Sequence, residues 1–472
     1  ITKMNNLISD IHTHLCTFLS NIDKLNFLSV SKKYHGIKNV VSFEDEVNMA
    51  YVSHLWYYNS FCNVRICKSF EDNDDLEVSN VMYPKNIARL KLYNYKTTLN
   101  IPKSVTDLTC VLHKNISAYI PHGIKYLTFS CCDPENNIYI DGHIPNTVTH
   151  LTINSNSNYR CLNSRVTIND DIDIKKYIPK SVTNLTITYV SKFAGDIIPD
   201  SVIDLHISRF LNDTWDGIPH TVKNLRICKG TLPPTVPINL TRLRIDYGHD
   251  VSLGAHNFNY LTHLSLNDTF NMTINENHLP LTLTHLTLGD DFNQSIEFCN
   301  PHHLQSLILG DKFNQPIKTT FPSLAFLQFG HDFDQLLSPQ QIPNVTHLRF
   351  GTSFNQNVTI PTKVTHLTFG DKFNKYLDRI PESVTHLTVG YYFRFDYHIK
   401  LPMNIISLTY SDLYGRPINN IMNPHVKFLK FGKYFSCPLP LHLLTHVTEI
   451  SLHRNYSLDI NTELYQIISF YN

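Results

Sequence analysis

The stretch IPTKVTHLTFGDKFNKYLDRIPESVTHLTVG, residues 360–390, contains one phrase twice at a spacing of 20 residues. Ile360-Pro361 is answered by Ile380-Pro381. Val364-Thr365-His366-Leu367-Thr368-Phe369-Gly370 is answered by Val384-Thr385-His386-Leu387-Thr388-Val389-Gly390. A unit this short cannot bury its own apolar face, so copies must stack on one another to make a core. An array of that kind grows along one axis, and the chain's 472 residues then say little about domain count.

Aligned on the central Leu, the units run through Leu90, Leu108, Leu127, Leu151, Leu185, Leu205, Leu225, Leu243, Leu264, Leu286, Leu307, Leu327, Leu348, Leu367, Leu387, Leu408 and Leu429, and Ile450 closes a series of eighteen. Most intervals are 18 to 22 residues; 24 precede Leu151 and 34 precede Leu185, so 152–184 reads as a loop or a degenerate unit. Val, Ile or Leu stands three before the Leu and an apolar residue two after it. The period-2 spacing puts Leu and the residue two on along one strand face, pointing inward, and the residues on either side of Leu on the other face. Parallel strands ~4.8 Å apart would make a sheet roughly 80 Å long. Pro at five or six before the Leu suits a strand entrance, where its missing N–H is not needed. Gly three after the Leu, as in Gly289, Gly310, Gly330, Gly351, Gly370, Gly390 and Gly432, suits a sharp turn at the strand exit. Phe six after it, from Phe270 to Phe435, is expected to line the back of the array as a column of rings.

With 40 basic and 40 acidic residues the formal net charge is zero, which argues against a general nucleic-acid binder. The ten cysteines include no C-x-x-C pair, so a structural zinc site is not expected and reduced, mostly buried thiols such as Cys110 and Cys228 are. No apolar run approaches the ~20 residues of a membrane span, and no signal peptide is recognised at the start. The Asn-x-Ser/Thr triplets come from the repeat itself, and an intracellular protein is the expectation. The acidic run 71–75 lacks the spacing and Gly of a calcium loop.

Before the array, Leu7, Ile8, Ile11, Leu15, Phe18 and Leu19 recur at helical spacing, Asp23 is a candidate cap for a second helix through Leu25 and Leu28, and a third short segment is expected to end near Gly36. Val47, Ala50, Tyr51, His54, Leu55 and Tyr58 predict a further helix, the joint that seals the first repeat. The segment with Ile8, Ser9, Asp10, Ile11, Leu15, Phe18, Leu19, Asp23, Leu25, Leu28, Val30, Ser31, Lys32 and Tyr34 resembles an F-box, more closely in its second half. That resemblance implies docking on the Skp-type adaptor of a cullin-RING ubiquitin ligase, with Ile8, Ile11, Leu15, Leu25, Leu28 and Val30 divided between bundle core and adaptor contact. Alternatively, the helices merely cap the array.

The unit apolar-x-x-Leu-x-apolar resembles a leucine-rich-repeat strand, and segments such as Phe313-Asn314-Gln315-Pro316-Ile317 and Phe292-Asn293-Gln294-Ser295-Ile296 resemble the FNIP repeat, a relative of it. F-boxes joined to FNIP repeats are familiar from amoebae and their giant viruses. The expected layout is an F-box-like helical domain over 1–45, a helical linker or cap over 46–83, a leucine-rich-repeat-like β-solenoid over 84–458 and a C-terminal cap over 459–472.

Function on such a scaffold is expected on the outward strand positions. His recurs one before the Leu, at His150, His263, His285, His347, His366 and His386, and with Thr beside it reads as a His–Thr ladder rather than a metal site. Arg226, Arg242, Arg244 and His206, with Lys223 nearby, form a candidate basic patch for a carboxylate or phosphate. Phe326 and Phe428 are candidate anchors for a protein partner. No nucleophile motif, P-loop or cofactor signature is present, so the expectation is a non-catalytic substrate receptor of a ubiquitin ligase that binds the adaptor and a client protein, with an interaction scaffold lacking that link as the alternative.

Overall fold

Each coil begins with a turn that its sequence spells out. The Pro carbonyl accepts the N–H of the apolar residue three on, as in Val105 to Pro102 (3.1 Å), Val182 to Pro179 (3.0 Å) and Val384 to Pro381 (3.0 Å). The next two N–H groups both reach one carbonyl of the preceding coil: Thr106 and Asp107 donate to Ala88, and Thr365 and His366 to Thr346. The strand then enters the sheet with its Leu inward and buried.

This computed structural model describes residues 16, 19–29, 36–39, 41–66, 82–93, 101–112, 120–131, 144–155, 178–188, 198–208, 218–229, 232, 236–247, 253, 258–275, 278–297, 302–375, 380–393, 401–413, 415, 417 and 425–471. The chain divides into two units, Ile1–Leu225 and Arg226–Asn472, within strand β9 (Asn224–Lys229).

In the first unit, helix α1 (Asn21–Ser29) and a helical turn (Gly36–Asn39) precede strand β1 (Val47–Asn48), helix α2 (Met49–Val52), β2 (Asn63–Ile66) and β3 (Arg89–Tyr93). Then come β4 (Asp107–Leu112), β5 (Tyr126–Cys131), β6 (His150–Ser155), β7 (Asn184–Ile187) and β8 (Asp204–Ile207). From β1 to β8 each strand pairs in parallel with the next, with Leu opposite Leu from β3 onward.

Three expectations for this unit change. The helical spacing over Val47–Tyr58 yields only the four residues of α2, and the segment instead supplies rungs in which Val47 faces Val64 and Val64 faces Leu90. β-Branched residues in the Leu column serve a strand as well as a helix. The cap of α1 is Ser20: its hydroxyl accepts from the Asp23 N–H (3.2 Å) and donates to the Asp23 carboxylate (2.7 Å), so Asp23 is the third helical residue. Gly36 opens a helical turn rather than ending a helix.

In the second unit β10 (Arg242–Tyr247), β11 (His263–Ser265), β12 (His285–Thr287), β13 (Ser306–Ile308), β14 (Phe326–Gln328) and β15 (His347–Arg349) are followed by β16 (His366–Thr368), β17 (His386–Val389), β18 (Ser407–Tyr410) and β19 (Phe428–Lys430). Helix α3 (Leu441–Leu444), β20 (Glu449–His453) and β21 (Ile468–Tyr471) complete it. All pair in parallel, Leu on Leu as far as β19 and then through Ile450 and Ile468, and β21 adds a rung beyond the eighteen read from the sequence.

The back of this unit explains the Phe-Asn pair. Phe270, Phe292, Phe313, Phe333, Phe354 and Phe373 stack in one column at 5.9–6.2 Å with nearly parallel rings. Phe329, Phe350 and Phe369 make a second column at 5.5–5.7 Å that also touches the first. The Asn after each Phe serves the following coil. Asn293 Oδ1 accepts from the Asn314 N–H (2.9 Å) and Gln315 Nε2 (3.1 Å), and Asn314 Oδ1 likewise from Asp334 N–H and Gln335 Nε2. Asp334 takes the same part toward the Asn355 N–H at 2.8 Å.

The glycines are needed for a different reason than the one expected. Among the described glycines only Gly123 has a positive φ (115°). At Gly310 a Cβ would overlap the Gly289 carbonyl and the Asp290 Cα, and Gly330, Gly370 and Gly390 meet the preceding glycine in the same way. Glycine is there because backbone lies directly on backbone.

Candidate interaction surface

In the first unit, α1 lies against the segment leading to β1 by polar contacts. The Asn21 N–H donates to Asp45 Oδ2 (2.7 Å), the Glu44 N–H donates to Asn21 Oδ1 (2.9 Å), and Lys24 Nζ donates to the Ser42 carbonyl (2.9 Å). Lys24 is 3% exposed, so that bond replaces water around a buried ammonium. Leu28 is fully buried and joins the core; Leu25 is half-buried and Ile22, one turn before it, is 71% exposed. Ile8, Ile11, Leu15 and Val30 lie outside the described residues. His206 is half-buried on β8, two residues after Asp204, whose carboxylate accepts from Asn184 (3.0 Å) and from Asn224. Lys223 is exposed just before β9, its backbone N–H bonded to Ile203.

In the second unit the arginines meet a partner that the repeat columns do not announce. Arg226 Nε lies 2.7 Å from Asp246 Oδ2 and Arg244 Nε 2.5 Å from Asp246 Oδ1, while the Cys228 thiol donates to Oδ2 at 3.1 Å. Burial alone would raise the Asp246 carboxyl, but hydrogen bonds from Arg244, Cys228 and Arg226 outweigh it and hold the group below the usual carboxylate range. The guanidiniums are thus oriented by a carboxylate beneath them, and they stay about half exposed. Asp246 lies three after its Leu, in the column that glycine fills in the later coils.

Arg242 is exposed on the same face of β10 and registers with His263. From there the column before the Leu is dominated by imidazoles. His263 and His285 stack at 4.1 Å, and His347, His366 and His386 stack in sequence at 4.2 and 4.1 Å. Each ring's Nδ1 lies 2.9–3.0 Å from the hydroxyl of the Thr before it, leaving Nε2 as the nitrogen with no hydrogen bond among the described residues. The His–Thr ladder is present, and among the described residues no group of three His, Cys, Asp or Glu side chains could hold a metal ion. Burial first, and then the neighbouring rings and Arg242, holds His263 below the ordinary imidazole value; His366 is lowered by burial, His386 and His347. Phe326 is half-buried and tilts over His347 at 6.1 Å, whereas Phe428 is 46% exposed.

Among the described residues no helix is long and apolar enough to cross a membrane. Compared with known proteins, residues 227–291, 313–353 and 354–392 match the FNIP Repeat family model. The chain is 28% identical over 155 residues to the F-box and FNIP repeat-containing protein L414 of Acanthamoeba polyphaga mimivirus, covering 32% of this chain and 27% of that protein. It is 27% identical over 212 residues to the FNIP repeat-containing protein L415 of the same virus, covering 43% of each. Among solved structures it is similar to CroV588, described as a circular LRR protein, with 26% identity and a TM-score of 0.59 over 89% of this chain and 63% of that one. The aligned stretches therefore span less than half of either viral relative. The matched segments include coils whose Phe and Asn ladders are described above, and these coils resemble FNIP repeats carried in a leucine-rich-repeat-like solenoid of parallel strands.

Proposed function

We propose that this chain is a non-catalytic recognition subunit of a cullin-RING ubiquitin ligase. Its N-terminal helical segment engages the Skp-type adaptor, and the outward strand face holds a client protein inside the cell. Ubiquitin transfer then depends on proximity supplied by other subunits. One observation carries the adaptor half: α1, in the F-box-like segment, leaves Ile22 exposed and Leu25 half-exposed, while Leu28, one turn further on, is buried. A relative named for an F-box beside the same repeats supports the reading.

A second reading, an interaction scaffold without the ligase, is favoured by the polar seat of α1 on residues 42–45, which makes the helix an end piece of the solenoid. Pull-down with a purified Skp-type adaptor separates the two. Ile22→Asp with Leu25→Asp should abolish adaptor capture and leave the melting curve of the solenoid unchanged. Capture that survives the double substitution refutes the F-box reading. If the unsubstituted chain captures no adaptor, the scaffold reading stands instead.

A further inference from the structure

On the outward sheet face of the second unit, the positions flanking the inward Leu carry no acid over a long run. Each of the ten strands β10–β19 has one outward position on either side of its inward Leu. None of them is Asp or Glu, although the chain as a whole has as many acids as bases. Those positions carry Arg242, Arg244, Arg349 and Lys430, together with five imidazoles and a series of Thr and Ser hydroxyls. The nearest carboxylate along β10, Asp246, is engaged by Arg226 and Arg244. Glu449, on β20, is the first outward acid after the run.

We infer that this face binds an extended, acidic segment of a partner protein laid across the strands. The inference rests on the recognition reading above and gives the partner's chemistry. Arg242 and Arg349 have no ion pair among the described residues, so both present unneutralised guanidiniums to a carboxylate. Between the charges, His Nε2 atoms and hydroxyls offer hydrogen bonds, and Phe326 and Phe428 offer apolar contact. Nine strand spacings of ~4.8 Å span about 43 Å, the reach of roughly 13 extended residues. Cations spaced this widely, and separated by rings and hydroxyls, suit a peptide with intermittent carboxylates better than the continuous phosphate backbone of a nucleic acid.

The test is fluorescence anisotropy on the full chain with a labelled Glu/Ser peptide of about 15 residues, a Lys/Ser peptide of equal length and a single-stranded RNA. The Glu/Ser peptide should bind and the Lys/Ser peptide should not. Arg242→Glu with Arg349→Glu should weaken binding at least tenfold, while Arg242→Lys with Arg349→Lys should keep most of it. Circular dichroism of both double variants checks that the solenoid stays folded. Equal binding of the two peptides, indifference to the charge reversal, or tighter binding of the RNA would overturn the inference. No binding of the Glu/Ser peptide would also overturn it, yet adaptor capture in the pull-down is read independently and would still support the receptor.

Discussion

Gly310→Ala separates two roles that glycine plays in proteins. Were Gly310 needed for a left-handed turn, its φ would be positive, and it is not. At an ordinary φ, Gly→Ala usually stabilises by about 0.4–1 kcal/mol, because the unfolded chain loses freedom. Here the added methyl group falls on the Gly289 carbonyl and the Asp290 Cα, all backbone of the preceding coil. No side-chain rotation relieves that overlap, so the two coils must part, and the rings of Phe292 and Phe313, stacked at 6.2 Å, must part with them. Overpacking of this kind costs about 1–3 kcal/mol. With the unfolded-state gain subtracted, the net loss is about 1.3 kcal/mol, which lowers the melting temperature of a unit this size by about 3–5 °C. Gly415→Ala is the control: its nearest atom is the Leu413 carbonyl oxygen at 4.0 Å, so the same substitution there should be neutral or slightly stabilising. Thermal melts followed by circular dichroism decide it. A Gly310→Ala chain as stable as the parent, or more so, would show that the glycine column does not exist for close contact.

Two further outcomes follow from the ladders. Asn293→Ala removes the acceptor for the Asn314 N–H and Gln315 Nε2 and should cost about 1–2 kcal/mol in urea unfolding, whereas Asn293→Asp should cost less than half as much, since Asp334 already fills that place one coil further on. Stability should also depend on acidity through the imidazole stack. His263 and His366 are lowered from 6.5 in the folded chain, so the unfolded chain binds protons first, and stability is full above that value and declines as the pH falls below about 6.5. His263→Gln with His366→Gln should flatten the plot of melting temperature against pH in that window; an unchanged slope would mean that the stack does not contribute.

The inward columns were readable because period-2 spacing around Leu leaves little choice of face, and the rungs from Leu90 to Ile450 fall where that spacing puts them. The role of the glycines was not readable. Sequence shows that a side chain is missing but not whether a dihedral angle or a neighbour excludes it. Asp246 escaped because its column, three after the Leu, is marked by the glycines of later coils and reads as a turn position; only the structure brings it under two arginines from neighbouring strands. The rungs at Val47 and Val64 were missed because they lack the Leu that marks the others and because their surroundings also fit a helix. On α1 the sequence identified an apolar helix, but its seat is made by Asn21 and Lys24, residues a search for hydrophobic spacing passes over.

The Asn or Asp after Phe292, Phe313 and Phe333 hydrogen-bonds forward, to the coil that follows its own. Each coil therefore holds the fitting for its successor and presents the matching amide to its predecessor. A duplicated coil would arrive already able to join on both sides, whereas an insertion of half a coil would leave one fitting unmatched. Chains built this way can lengthen or shorten by whole coils with little repair at the seams, which gives their reading surface a length that evolution can adjust.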